Sequence, residues 1–349
     1  MTREPLYTSN SKKLKIIIFS AALLIFSFGA AFYAGRLYKE ASEKNTVNMF
    51  TKTRFSDFYA EEKNTIDMVF IGSSHAYCAF DPANFDEALG ISSFQMGTPL
   101  QTPDTTYFSL LDIFETQSPS VVVMEVYFNV LNEKFNMKQA DSFFEGLDND
   151  KLKEEYIKEV FPLNEKIKYN LPFIRYQQDF FAYQSSLIED FASEKFGVSK
   201  KKGETQEGVE EYRAKGYVYC DMNMLADEFD KTNQFKGING NDFKFDKSQK
   251  GYMEKIIGLC AEKNARLIFV TAPIANVSMG YIENYDAIYS KISEFAAENQ
   301  IPYIDYNIIN QNEALLKNEN FRDDAHLNDS GVKIVDAHFL SWLKQSGIF

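Results

Sequence analysis

Two short stretches near opposite ends of the chain carry residue types that together could move an acyl group. The first is Asp67-Met68-Val69-Phe70-Ile71-Gly72-Ser73-Ser74-His75, an apolar run of β-formers that stops at a glycine and delivers Ser74 to a turn. A serine hydroxyl is a weak nucleophile until a base within hydrogen-bond reach takes its proton. The candidate bases are His75, His326 and His338. The second stretch, Phe321 to Gly331, is polar and turn-rich and sets Asp323 three residues before His326. An aspartate so placed can hold one imidazole nitrogen and leave the other for the Ser74 hydroxyl. Asp323 and Asp324 are both open as the orienting acid on residue type alone.

Each of these residues also has a plainer use. A serine after a strand often caps the next helix, and Ser74 stands in such a place. His75 adjoins the nucleophile and so points elsewhere, which makes it a site wall or a buried polar residue. His338 falls on the last helix near Ile334, Phe339 and Trp342, a surface or packing position rather than a chemical one. Glu125 ends an apolar strand, where a buried carboxylate needs partners; it would either line the substrate wall or satisfy a loop. The histidine spacing does not suggest zinc, and no cofactor is expected.

Stepping outward, alternating strands and helices must position these groups. A helix over Asp81–Gly90 has proline in its first turn and a glycine stop, and a strand over Ser92–Met96 ends at Gly97. A helix from Pro103 through Phe114 and a strand over Ser120–Val126 follow. The pattern resumes with helix 247–262, strand 266–271, helix 284–298, strand 302–304 and helix 328–344. This predicts an α/β three-layer sandwich around a parallel sheet of about five strands. Between the third and fourth strands, about 130–245 reads as a helical insertion, either overhanging the strand ends or packed on the sheet as a further layer. Ser199–Gly208 within it reads as an exposed loop.

The chain has 349 residues, enough for a large core, and 15% aromatics argue against disorder. A net charge of −13 disfavours a nucleic-acid binder. Cys78, Cys220 and Cys260 are too dispersed to suggest a disulfide framework. Ile16 to Ala34 is an uncharged stretch of about 19 residues, long enough to cross a bilayer as a helix. Arg3, Lys12, Lys13 and Lys15 precede it against Arg36 and Lys39 after it, which favours a cytoplasmic N-terminus. The expected organisation is a cytoplasmic segment 1–15, an uncleaved anchor 16–36, a tether or short helix over 37–64, and an extracytoplasmic domain 65–349.

With Gly72-Ser73-Ser74-His75 and Asp323-x-x-His326 in this order, the chain resembles the SGNH (GDSL-like) hydrolase superfamily, whose fold is SGNH/flavodoxin-like. Within it the chain is most similar to the membrane-anchored surface-polymer branch, which includes the teichoic-acid D-alanylation protein DltD and the alginate O-acetylation proteins. The resemblance implies Ser74 as nucleophile, His326 as base and Asp323 as orienting acid. It also implies an oxyanion hole from the backbone N–H groups of Ser74 and Gly97. The family's third-block asparagine has no clear equivalent, Asn129 being the nearest. The implied activity is that of a serine esterase or O-acyltransferase acting on a cell-envelope polysaccharide or teichoic-acid-like polymer, or on an acylated carrier. The missing asparagine motivates an alternative, a non-catalytic tethered subunit assisting a membrane-embedded O-acyltransferase.

Overall fold

Apolar runs with no polar interruption can be buried on both faces, and here they form the middle of a sheet. The computed structural model describes residues 7–44, 49–175, 208–224 and 233–348. The strands are β1 (Met68–Ile71), β2 (Ser93–Gln95), β3 (Val121–Glu125), β4 (Glu210–Tyr212), β5 (Val218–Cys220), β6 (Arg266–Thr271) and β7 (Tyr303–Asp305). Five of them make one parallel sheet in the order β2-β1-β3-β6-β7. β1 and β3 are buried along their whole length, as the apolar sequence requires.

Contacts divide the chain into two units, Met1–Val47 with Phe161–Gly203, and Asn48–Val160 with Glu204–Phe349. The second unit holds the sheet. On one face Phe70, Val123, Val270 and Ile304 join Phe80, Phe85, Val335, Phe339 and Leu343 in a continuous core. The Phe339 ring stacks on Trp342 and meets the rings of Phe80 and Phe85, so truncating it to alanine would cost about 3–5 kcal/mol. Strand alternation sends Phe269 to the other face, where it stacks on Phe295 of helix Tyr285–Glu298. Helices Pro103–Thr116 and Lys247–Glu262 also pack against each other.

Local signals fix the helix ends. Asp81 caps helix Pro82–Leu89 through the Ala83 N–H, and Gly90 ends it in the left-handed conformation at φ 68°. Asn328 caps the last helix, Asp329–Gln345, through the Gly331 N–H. The expected helices over 247–262, 284–298 and 328–344 all form, within a residue at each end.

The stretch expected to be a tether or short helix contains helix Met49–Ala60, and this helix is built into the core. Phe55 and Phe58 are buried, with Phe55 edge-on to Phe143 and Phe58 edge-on to Phe94. The expected insertion divides. Helices Met137–Gly146 and Asp150–Glu159 belong to the sheet-bearing unit, whereas Leu163–Tyr169 and Pro172–Arg175 belong to the other. Its later part is not helical throughout, because β4 and β5 pair as an antiparallel hairpin. The loop expected over 199–208 lies, except for the exposed Gly208, outside the described residues.

In the first unit, helix Tyr7–Lys44 contains Lys12–Lys39, 28 residues long and apolar enough to cross a membrane. The expected anchor falls inside it.

Candidate active site

The sheet's order makes β1 and β3 neighbours whose chain connections leave in opposite directions, and ligands bind beyond the C-terminal ends of such strands. Ser74 stands there, one turn beyond β1, as the first residue of helix Ser74–Tyr77.

Ser73, not Ser74, takes the capping role that was the plainer use open to Ser74. Ser73 is fully buried and is the helix cap, its hydroxyl oxygen accepting the His75 N–H at 3.2 Å. Ser74 is thereby left for chemistry. Its Oγ lies 2.8 Å from Nε2 of His326. The His326 Nδ1 lies 2.9 Å from Oδ2 and 3.0 Å from Oδ1 of Asp323. A serine and an aspartate–histidine pair whose His326 lies 252 residues further along therefore form one hydrogen-bonded chain from carboxylate through imidazole to hydroxyl.

The loop that carries the acid and the base is held by its own backbone. The Arg322 N–H donates to the His326 carbonyl at 3.0 Å, closing a tight turn. Asp323 Oδ1 accepts the N–H groups of Ala325 at 2.8 Å and His326 at 2.7 Å, so the same carboxylate shapes the loop and aims the ring. Burial alone would raise its carboxyl, but His326, the Arg322 guanidinium and the Ala325 N–H hold it well below the usual carboxylate range. Arg322 Nε approaches Asp323 Oδ2 at 3.6 Å while its Nη1 pairs with Glu210 at 2.7 Å, tying the loop to β4. Asp324, the rival acid, is turned to Gln234, accepting its N–H at 2.9 Å and its side-chain amide at 2.8 Å.

His75 and Glu125 do not line an open wall. His75 is buried between Tyr127 and His326, with ring centroids 3.9 Å and 4.9 Å away. Burial, and then the neighbouring His326, push its imidazole well below the ordinary histidine value and keep it neutral. Glu125, also buried, faces the serine turn. Its Oε2 accepts the Ser73 hydroxyl at 2.8 Å and the Ser73 N–H at 3.3 Å. Burial pushes its carboxyl up to about 8 against the pull of both bonds, with Asp305 adding to the rise. Gly72 lets this approach happen: at φ 145° it has no side chain where a Cβ would meet the Glu125 Cβ at 2.7 Å.

Gly97 is packed against the serine turn, its α-carbon so close that a Cβ would meet the Gly72 and Ser73 carbonyls at 3.0 Å. Its N–H, however, donates to Oε1 of Gln95 at 3.0 Å. Gln95 is fully buried and its amide also donates to the Ala76 carbonyl at 2.9 Å, joining β2 to the serine helix. The Ser74 N–H, in the helix's first turn, has no acceptor among the described residues. Asn129 donates to the Tyr127 hydroxyl at 2.8 Å, so it supports the ring that packs against His75. His338 bonds the Tyr306 hydroxyl at 3.1 Å, away from these groups, as a packing residue would.

Ser73, Gln95, Tyr127 and Arg322 were not singled out in the sequence. Only Ser73 left a signal there, the doubled serine after Gly72.

No family model and no curated protein matches the chain. Solved structures similar to it include a candidate acylhydrolase from Bacteroides fragilis at 11% identity and TM-score 0.39, covering 86% of this chain and 98% of that one. A GDSL-like lipase from Bacteroides thetaiotaomicron matches at 12% identity and TM-score 0.37, covering 85% and 98%. A candidate lipolytic protein of the G-D-S-L family from Desulfitobacterium hafniense matches at 12% and 0.37, covering 80% and 99%. Likeness at these TM-scores carries no weight here. Side-chain geometry does.

Proposed function

We propose that the chain is a membrane-anchored serine esterase or O-acyltransferase of the SGNH type, acting outside the cytoplasm on a cell-envelope polysaccharide or teichoic-acid-like polymer. The observation that carries the chemistry is the 2.8 Å contact between Ser74 Oγ and His326 Nε2, with Asp323 on the ring's other nitrogen. The surface-polymer substrate and the DltD-like role are supported by the sequence resemblance alone.

In this reading His326 takes the Ser74 proton as Oγ attacks an acyl carbonyl. Asp323 holds the tautomer and stabilises the imidazolium. The carbonyl oxygen becomes an oxyanion facing the Ser74 N–H, joined by the Gly97 N–H once it leaves Gln95. Collapse expels the donor's alcohol or carrier, which leaves with the proton from His326. A sugar or polyol hydroxyl, or water, then gives its proton to His326 and takes the acyl group, regenerating Ser74. No cofactor enters any step.

A second reading rests on one observation, that the Gly97 N–H is engaged by Gln95. It makes the chain a tethered binding subunit that presents polymer or acylated carrier to a membrane-embedded O-acyltransferase. Intact-mass analysis of the full chain in detergent, after a serine-directed fluorophosphonate, separates the two. One adduct per chain, lost in Ser74→Ala and in His326→Ala while both stay folded, is the expected result. An unlabelled folded native chain would favour the binding subunit.

A further inference from the structure

The stretch Leu163–Arg175 takes no part in the chemistry, yet it exposes large apolar side chains on one face. Leu163 is 75% and Ile167 56% exposed, and residues four apart on a helix share a side. Leu163 and Ile167 side by side make an apolar face suited to contact with lipid.

The first unit shows where this stretch is held. On helix Tyr7–Lys44 the covered positions are Ala31, Ala34, Gly35 and Tyr38, one side of the helix, with Gly35 buried. What covers Gly35 is helix Pro172–Arg175. A Cβ on Gly35 would lie 2.8 Å from the Phe173 nitrogen and 2.9 Å from the Pro172 Cβ, so the two backbones touch there. Helix Leu163–Tyr169 is fastened to this contact. The Leu171 N–H donates to Lys168, those of Ile174 and Arg175 to Leu171, and the Arg175 guanidinium sits 3.7 Å from the centre of the Tyr169 ring.

Gly35 marks a level. The uncharged run Ile16–Ala34 is about 28 Å long as a helix, matching a hydrocarbon core, and Arg36 is the first charge after it. A segment docked on Gly35 is therefore at the boundary between hydrocarbon and headgroups. Its composition suits that boundary: Lys166, Lys168 and Arg175 against Glu165 alone, with Tyr169 and Phe173, in a chain of net charge −13.

We propose that the helix Leu163–Tyr169 lies in the interfacial layer of the bilayer that the N-terminal helix crosses, with Leu163 and Ile167 inserted among the lipids. The proposal rests on the anchor in the reading above and adds a second membrane contact to it. It makes part of the insertion a surface float, where the sequence pointed to an overhang above the strand ends or a layer on the sheet.

The test is nitroxide depth measurement on the full chain in phosphatidylcholine–phosphatidylglycerol vesicles. Cys78, Cys220 and Cys260 are buried, so the unsubstituted chain sets the labelling background. A label at Ile167→Cys is compared with Leu24→Cys in the span and with Lys151→Cys, whose side chain is 80% exposed in the other unit. The expected ratio of oxygen to water-soluble nickel collisions is several-fold higher at Ile167→Cys than at Lys151→Cys, and highest at Leu24→Cys. If Ile167→Cys matches Lys151→Cys while Leu24→Cys is lipid-immersed, the inference is overturned and the anchor stands. If Leu24→Cys is itself aqueous, the anchor reading falls and this inference with it.

Discussion

Ser73 and Glu125, 52 residues apart, are joined twice through one carboxyl oxygen, by the hydroxyl at 2.8 Å and the N–H at 3.3 Å. The bond links the end of β1 to the end of β3 directly beneath the turn that presents Ser74. A neutral carboxyl there accepts from Ser73 without placing an anion beside a forming oxyanion. The position is thus structural in its contacts and electrostatic in its consequence.

The raised Glu125 carboxyl has a definite pH signature. A group whose value rises from 4.5 to about 8 on folding favours the folded chain fully below 4.5 and loses that contribution as pH climbs through about 8. Relative to Glu125→Gln, the native chain should lose up to about 1.4 kcal/mol of stability per pH unit across that window. Relative to Glu125→Gln, Glu125→Ala should cost about 1–3 kcal/mol at any pH, because the Ser73 donors are left unpaired. Urea unfolding of the three proteins from about pH 5 to about pH 8 reads both effects. Parallel curves for native and Glu125→Gln would refute the assignment.

Gly72→Ala should be worse than its one carbon suggests. At φ 145° the new Cβ would meet the Glu125 Cβ at 2.7 Å and its carbonyl at 2.9 Å, and backbone cannot give way as a side chain can. The strained conformation alone costs about 1–3 kcal/mol. Fluorophosphonate labelling should fall further than the melting temperature, since the displaced residue aims Ser74. Normal labelling in a destabilised Gly72→Ala chain would show that the turn does not set the nucleophile.

Adjacent aspartates offer a matched pair. Asp323→Asn removes the charge that holds the His326 tautomer and should slow labelling by about 10²–10⁴-fold, as in other hydroxyl–imidazole–carboxylate sites. Asp324→Asn keeps an acceptor for Gln234 and should change the rate by less than about threefold. Equal losses in the two variants would mean that the loop's integrity, and not the Asp323 carboxylate, controls His326.

What the sequence made legible follows from how local each signal is. β1, Val121–Met124 of β3 and Leu267–Val270 of β6 are continuous apolar runs, so their burial was written in consecutive residues. Asp323 and His326 were legible because the acid and base lie within one turn of chain, and a single loop sets their geometry. Helix Met49–Ala60 was harder to read because the polar Thr51 and Arg54 share the face on which Phe55 and Phe58 are buried. The β4–β5 hairpin has three-residue strands with exposed Glu210 and Glu211, too short to show alternation. Glu125 was visible as a buried acid, but its partner Ser73 was not, because nothing local encodes a pairing across two strands.

Gln95 is the hardest of these to foresee and the most telling to change. Its amide nitrogen holds the Ala76 carbonyl of the serine helix and its amide oxygen holds the Gly97 N–H, so one buried side chain governs both edges of the proposed oxyanion site. Gln95→Glu retains the acceptor toward Gly97 and loses the donor toward Ala76 whenever the new carboxyl is ionised. Ionised, it also puts a negative charge where negative charge must develop, which disfavours the tetrahedral intermediate. Protonated, it can donate to Ala76 again. The labelling rate of Gln95→Glu should therefore approach native at low pH and fall behind by about 10²-fold or more as pH rises, in line with the loss of one oxyanion donor. A native-to-variant ratio that stays constant from about pH 5 to about pH 8 would place the oxyanion elsewhere and remove Gly97 from the mechanism.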